Sequence, residues 1–349
     1  MTYLNKQQGG IFKNPLVVSL FAILCCALWG SATPFIKMGY KLMFPDGGPD
    51  VQSTILFAGI RFALAGFITI VIYSIARKKW LYPKAENLGK IGIVAVFQTI
   101  IQYFFFYLGL ALTSGAKGTI LSGSSSFFAI LISSLFFKQE KLTVKKVVAC
   151  VIGFAGIVAV NISGLEYTMN WGDAFVIFAA ISLGISSVLI KIFAKNEDPV
   201  VISGYQFMIG GTVMVVVGFA FGGRVDLSDI GGVGVLLYLS LLSAVAYALW
   251  GVLLKYNPVS KVTIFSFMTP VFGVLLTALM LPEESNVEII SLIISLVLVC
   301  LGVFLLNFTG FPKKEKPEPQ PVLDNGNTPD EGDCDSTVIE SGVISNSSK

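Results

Sequence analysis

Ten stretches of this chain stay apolar for about twenty residues or more, separated by short polar segments. They fall at 15–40, 53–76, 88–112, 115–137, 143–163, 171–194, 200–222, 230–255, 259–282 and 287–308. At about 1.5 Å of rise per residue, a helix of about twenty residues crosses a hydrocarbon core of roughly 30 Å. Backbone inside lipid must satisfy its own hydrogen bonds, so each stretch is expected to be a helix. The pattern predicts an all-α polytopic membrane protein of ten transmembrane helices. The first run is too long for the apolar part of a signal peptide and lacks a small-residue cleavage site, so it reads as a retained helix.

The pattern also repeats. Lys117–Glu140, KGTILSGSSSFFAILISSLFFKQE, returns about 144 residues later as Lys261–Glu284, KVTIFSFMTPVFGVLLTALMLPEE. Lys117/Lys261, Thr119/Thr263, Ser122/Ser266, Phe128/Phe272 and Glu140/Glu284 coincide. A second echo pairs Gly30, Ile36 and Lys37 with Gly184, Ile190 and Lys191, and a third pairs Gly59, Phe62 and Gly66 with Gly204, Phe207 and Gly211. The chain therefore divides into an N-terminal segment 1–14, a five-helix unit 15–163, a second unit 171–308 and a tail 309–349. The tail is polar and rich in proline and acid, the composition of a disordered segment.

Charge sets the expected orientation. With the N-terminus inside, the cytoplasmic loops hold Arg77, Lys78, Lys79, Lys84, Lys90, Lys138, Lys141, Lys145, Lys146, Lys195, Lys255 and the Lys313–Lys316 cluster. The opposite loops hold chiefly acids, among them Asp46, Asp50, Glu166, Asp226, Asp229, Glu283, Glu284 and Glu288, with Lys41 and Arg224 the main exceptions. That asymmetry predicts both termini in the cytoplasm. Five helices per unit is an odd number, so the second unit enters from the other side. Two inverted repeats of this kind build many secondary transporters.

Composition narrows the class further. Hydrophobic residues make up 54% of the 349 and charged residues 13%, against about a quarter charged in soluble domains. Histidine is absent, and Cys25, Cys26, Cys150 and Cys300 sit inside apolar runs with Cys334 in the tail. No metal or cofactor site is expected from that set. No P-loop, H-E-x-x-H or nucleophile elbow points to an enzyme or ATPase. The expected partners are a small-molecule substrate and the lipid bilayer rather than nucleic acid, with monomer and homodimer both open.

Three motifs carry a family resemblance. CALWGSATPFIK in the first run, GIRFALAGF in the second, and the Ala111–Glu140 segment with its copy ending MTPVFGVLLTALMLPEE are similar to the EamA-type drug/metabolite transporters. The likeness spans about 15–308 and implies export or exchange of small metabolites, often amino acids, across the cytoplasmic membrane. The family pattern has proline in both copies of the third motif. Here Pro270 stands in the second half and Ser126 in the first, so a gate built on the first copy would rest on serine hydroxyls rather than a proline kink.

Arg61 is the outstanding candidate for chemistry. A charge that deep in an apolar run is costly and normally faces a cavity or a partner. Its repeat mate Gln206 is neutral, so the charge is not a duplicated packing feature. Arg61 would hold a carboxylate or phosphate through its planar fork; the structural alternative is pairing with helix carbonyls. Polar and aromatic residues recur at helical spacing in other runs, Gln98 with Gln102, Tyr103 with Tyr107, and Tyr247 with Trp250 on one stripe with Ser240 and Ser243, while Trp29, Tyr205 and Gln206 sit in apolar runs as well. They would line a substrate cavity or glue helices together. Lys37, Lys117, Lys191 and Lys261 would form basic mouths at the two ends of a path, or snorkel to the interface. The expected function is a secondary transporter of a small polar metabolite such as an amino acid. A carrier of nucleotide sugars or phosphorylated compounds, and a non-transporting receptor, are the alternatives.

Overall fold

The computed structural model describes residues 10–44, 48–162, 169–281 and 289–308. Glu283, Glu284, Glu288, Glu166, Asp46, the tail 309–349 with its basic cluster and Cys334, and residues 1–9 lie outside them.

All ten apolar stretches are helical, and there is no strand among the described residues. The helices are α1 Pro15–Met43, α2 Val51–Ala76, α3 Ala85–Leu110, α4 Lys117–Phe136, α5 Val144–Asn161, α6 Trp171–Phe193, α7 Pro199–Ala220, α8 Ile230–Tyr256, α9 Val259–Met280 and α10 Ile289–Phe308. By length and composition nine of them qualify as membrane spans among the described residues. The remaining one, α5, has 18 residues and carries Lys145 and Lys146 in its first turn. The helices start where side chains can cap them. Asn14 accepts from the Leu16 N–H, Asp50 from Ser53, Asp198 from Val200 and Asp229 from Gly232, occupying donors that the first turn leaves orphaned. Asn170 and Asp173 cap α6 reciprocally.

Packing follows the repeat. Helix α2 lies against α7, and α5 against α10; α1 packs on α8 and α9, and α6 on α3 and α4. Exchanging the first five helices for the last five leaves this set of neighbours unchanged, as a two-fold relation between halves requires. Equivalent glycines mark equivalent contacts. A Cβ on Gly30 would stand 2.5 Å from Phe272 Cβ, and one on its mate Gly184 would stand 3.1 Å from Phe128 Cβ. Direction is readable at the α2–α7 seam. Leu56 meets Gly218, Gly59 meets Gly211, and Gly66 meets Gly204, so the two helices run antiparallel. The architecture is two inverted five-helix repeats, fastened where glycines let backbones touch.

Three helices are interrupted, a feature the hydropathy pattern does not reveal. Helix α3 passes through a π turn at Val96–Ile101, where Ser182 on α6 donates to the Phe97 carbonyl at 2.6 Å. Helix α9 tightens into a 3₁₀ turn at Ile264–Phe267, just before Met268–Met280 with its Pro270. Helix α4 breaks at Ser124, between Gly115–Gly123 and Ser125–Leu131. Under the repeat register that break faces Met268, so both halves are interrupted at the same level. In the half without proline, Ser122 and Ser124 donate to the carbonyls of Thr119 and Leu121 instead, the back-bonding by which serine bends helices.

Candidate functional site

Arg61 sits three turns into α2 and is 4% exposed. Its Nε and one terminal nitrogen both donate to Ser243 Oγ on α8, at 3.2 and 3.0 Å. Ser243 spends its own proton on the Leu239 carbonyl at 2.8 Å, so its lone pairs are left to accept. The guanidinium also lies 5.1 Å from the centroid of Phe62, within cation–π range. Among the described residues no carboxylate comes within ion-pair distance of it. A buried cation with one neutral acceptor is expensive in any folded protein, and it lies between α2 of one half and α8 of the other.

Around it the rings of five helices interlock. Trp29 on α1 meets Tyr247 at 4.9 Å and Trp250 at 5.0 Å, both edge-on. Phe62 stacks on Phe207 and tilts against Tyr103, with centroids 5.1 and 4.3 Å apart. Phe207 stands edge-on to Tyr247, and the hydroxyls of Tyr103 and Tyr247 share a hydrogen bond of 2.7 Å. Tyr107 stacks on Tyr103, with ring centroids 6.0 Å apart. Of the residues singled out from sequence, Arg61, Trp29, Tyr103, Tyr107, Tyr247 and Trp250 thus form one cluster at the seam between halves.

The glutamines stand apart from that cluster in their contacts. Gln206 is fully buried and accepts from Thr99 Oγ1 at 2.7 Å, on the π turn of α3. Its Nε2, and the Oε1 atoms of Gln98 and Gln102, are buried without a partner among the described residues. The indole nitrogen of Trp29 is in the same state. Such orphans are rare in folded proteins and each asks for a reason.

The lysines do not behave as one set. Lys117 Nζ lies 2.6 Å from Asp173 Oδ2, with both side chains almost wholly buried, and Thr113 donates to the other carboxylate oxygen at 2.5 Å. Lys191 donates to the carbonyls of Leu254 and Asn257 at the end of α8, at 3.2 and 2.5 Å, where a helix dipole favours a cation. Lys261 is exposed and Lys37 half-buried.

Helix α4 is therefore tied to the second half at three levels. At its start Lys117 holds Asp173 of α6. At its break Ser126 donates to the Thr263 carbonyl of α9 at 2.8 Å and shares a very short contact with Ser266. Past its end, the Glu140 carboxylate accepts from the Ser260 N–H at 2.9 Å, the Ser260 hydroxyl at 2.5 Å, Lys146 Nζ at 2.7 Å and Ser133 Oγ at 3.1 Å. Burial alone would raise the Glu140 carboxyl, but the bonds from Lys146 and Ser260 outweigh it and hold the group below the ordinary carboxylate value. A depressed pKa means the latch is intact at neutral pH and loosens only as pH falls through that lowered value. Titration of Glu140 should accordingly leave the protein's activity flat through the neutral range. A neutral-range inflection that Glu140→Gln removes would contradict this.

Sequence reasoning did not single out four contributors. Ser243 was one of several serines on a stripe, and only contact geometry separates it from Ser240. Phe62 and Phe207 appeared as repeat mates, without the stacking that puts them beside Arg61. Pro34, inside α1, takes the helical donor from the Gly30 carbonyl, which faces Gly273 of α9.

A polytopic helical bundle of two inverted halves, with a buried charge and aromatic rings at their seam, defines the class of integral membrane transporters. The chain belongs to the EamA-like transporter family, whose model matches residues 16–162 and again 170–308. An uncharacterized transporter of Archaeoglobus fulgidus is 23% identical over 285 residues, covering 81% of this chain and 96% of its own length. The uncharacterized transporter YoaV of Bacillus subtilis is 25% identical, covering 84% and 97%. A WAT1-related chloroplastic protein of Arabidopsis thaliana is 23% identical, covering 87% and 72%. One solved crystal structure superposes with a TM-score of 0.69 at 17% identity, over 84% of this chain and 99% of that one, which gives a shared fold.

Proposed function

We propose that this protein is a secondary carrier of a small polar metabolite of the amino-acid kind, an exporter or exchanger working by alternating access around the Arg61 cluster. The observation that carries the reading is the buried guanidinium at the seam, whose one hydrogen-bond acceptor among the described residues is Ser243, a charge whose cost is repaid when an anionic ligand arrives. Access from either side would require α4 to part from α6 or from α9. The Lys117–Asp173 pair would close one end and the Glu140–Ser260 contact the other. The lysine and arginine distribution would put the Glu140 end on the cytoplasmic side of the cell membrane.

The test is to arrest the motion. Ser126 and Ser266 touch, so cysteines at both positions would bond across α4 and α9 in a variant cleared of the native cysteines. Counterflow in proteoliposomes, scanned with labelled amino acids, should stop on oxidation and recover with a thiol reductant. Full flux through the cross-linked protein refutes alternating access at this seam.

Removing the latch at one end should bias the protein toward opening there. Glu140→Ala strips Ser260 of its acceptor and leaves Lys146 the Lys141 carbonyl alone, and hydrogen bonds to a charged group contribute about 1.5–3 kcal/mol each. A cysteine at the buried Thr263 should then react with a soluble maleimide about tenfold faster, since about 1.4 kcal/mol shifts a population tenfold. Unchanged labelling would mean the contact does not hold this end shut.

A further inference from the structure

We propose that the seam selects a compound with a single carboxylate on a flat apolar body, and rejects phosphates and other dianions; this rests on the carrier reading above. The number of positive charges decides the first part. Arg61 is buried, lies against the Phe62 ring, and has no carboxylate within ion-pair distance among the described residues. A single cation neutralises a single negative charge. A second charge brought into so buried a site would find no counterpart and would keep the ligand in water.

The geometry of the guanidinium decides the second. Ser243 takes the Nε edge, receiving from Nε and from one terminal nitrogen. With its proton committed to the Leu239 carbonyl, the hydroxyl acts only as acceptor there, and it fixes the plane of the fork. The outer edge, between the two terminal nitrogens, makes no hydrogen bond to a described residue. Two parallel N–H groups on a planar edge match the two oxygens of a carboxylate. Ser243 is thereby a positioning residue for that edge.

The remaining walls decide the third. Phe62 lies under the guanidinium, and Phe207, Tyr103, Tyr247 and Trp29 continue the aromatic surface. Rings prefer offset or edge-on contacts with other flat groups, so the body beside the carboxylate is best filled by a ring. The partnerless Trp29 Nε1 supplies one donor to an acceptor on that body.

The experiment compares four probes on the purified full chain by thermal shift: 3-phenylpropionate, its neutral amide, propionate without the ring, and phenyl phosphate at a pH where it is a dianion. The first should stabilise the protein at concentrations at least about tenfold lower than the other three, ligands stabilising the state they bind. Arg61→Gln should abolish that shift, Ser243→Ala should weaken the half-saturating concentration about tenfold, and Ser243→Thr, which restores a hydroxyl, should recover it. Equal stabilisation by the amide or by phenyl phosphate overturns the proposal, as does an unchanged response in Arg61→Gln. The two readings fail separately. If the acid binds through Arg61 yet no solute crosses proteoliposomes, the carrier reading falls and the ligand class stands. If Arg61-dependent flux is carried by phosphates, the ligand class falls and the carrier stands.

Discussion

Replacing Arg61 with glutamine should reduce transport by about 100-fold or more while leaving the protein inserted and monodisperse. Glutamine still reaches an oxygen such as Ser243 Oγ, so the wild-type partner of Arg61 keeps a donor. What disappears is the outer edge of the guanidinium, and with it two charge-assisted bonds to a ligand, each contributing about 1.5–3 kcal/mol. At about 1.4 kcal/mol per tenfold, the loss is two decades or more. Counterflow in proteoliposomes measures the first quantity, and size-exclusion profile with melting temperature measures the second. A structural arginine would give the reverse result, an aggregating variant whose surviving molecules transport normally. Arg61→Lys should recover only part of the activity, because an ammonium offers a point charge and no planar fork.

An alanine at Gly211 should instead cost the fold. The Cβ it adds would stand 2.3 Å from the backbone nitrogen of Ala63 and 2.9 Å from the Gly59 carbonyl. Neither obstacle is a side chain that can rotate away, so α2 and α7 must separate along the seam that joins the two halves. Overpacking of a close-packed interior costs about 1–3 kcal/mol even where side chains can adjust, and here backbone must move. Most of the folded, monodisperse protein should be lost from detergent extracts. Alanine at Gly92, around which there is open space, is the matched control and should be neutral. Equal yields from the two variants would mean that the α2–α7 contact is looser than described.

These two residues also mark how far the sequence could be read. The ten helices and their inverted duplication were legible because lipid imposes one solution on the backbone and because the repeat is written in glycines. Gly30 and Gly184, paired by register alone, do meet Phe272 and Phe128 in equivalent contacts. Arg61 was legible for the opposite reason, as a charge where apolar residues are the rule. Its setting was not. Nothing in a list of polar residues says that Ser243 faces Arg61 while Ser240 donates to the Leu236 carbonyl. The π turn at Val96–Ile101 left no mark on hydropathy either, since it shifts the phase of α3 without altering its composition, and it is what brings Thr99 to Gln206. The lysines were the least legible, because Lys117 and Lys191 are equivalent in kind and differ only in whether a carboxylate or a pair of carbonyls awaits them.

The triple fastening of α4 bears on how such a protein lives in an energised membrane. Were these three ties to close the path as proposed, loosening one side would load the others, and an idle molecule would offer water and ions no continuous route. Tightness against leakage would then come from one helix and its few polar clasps, and a cell could hold many copies without draining its gradients.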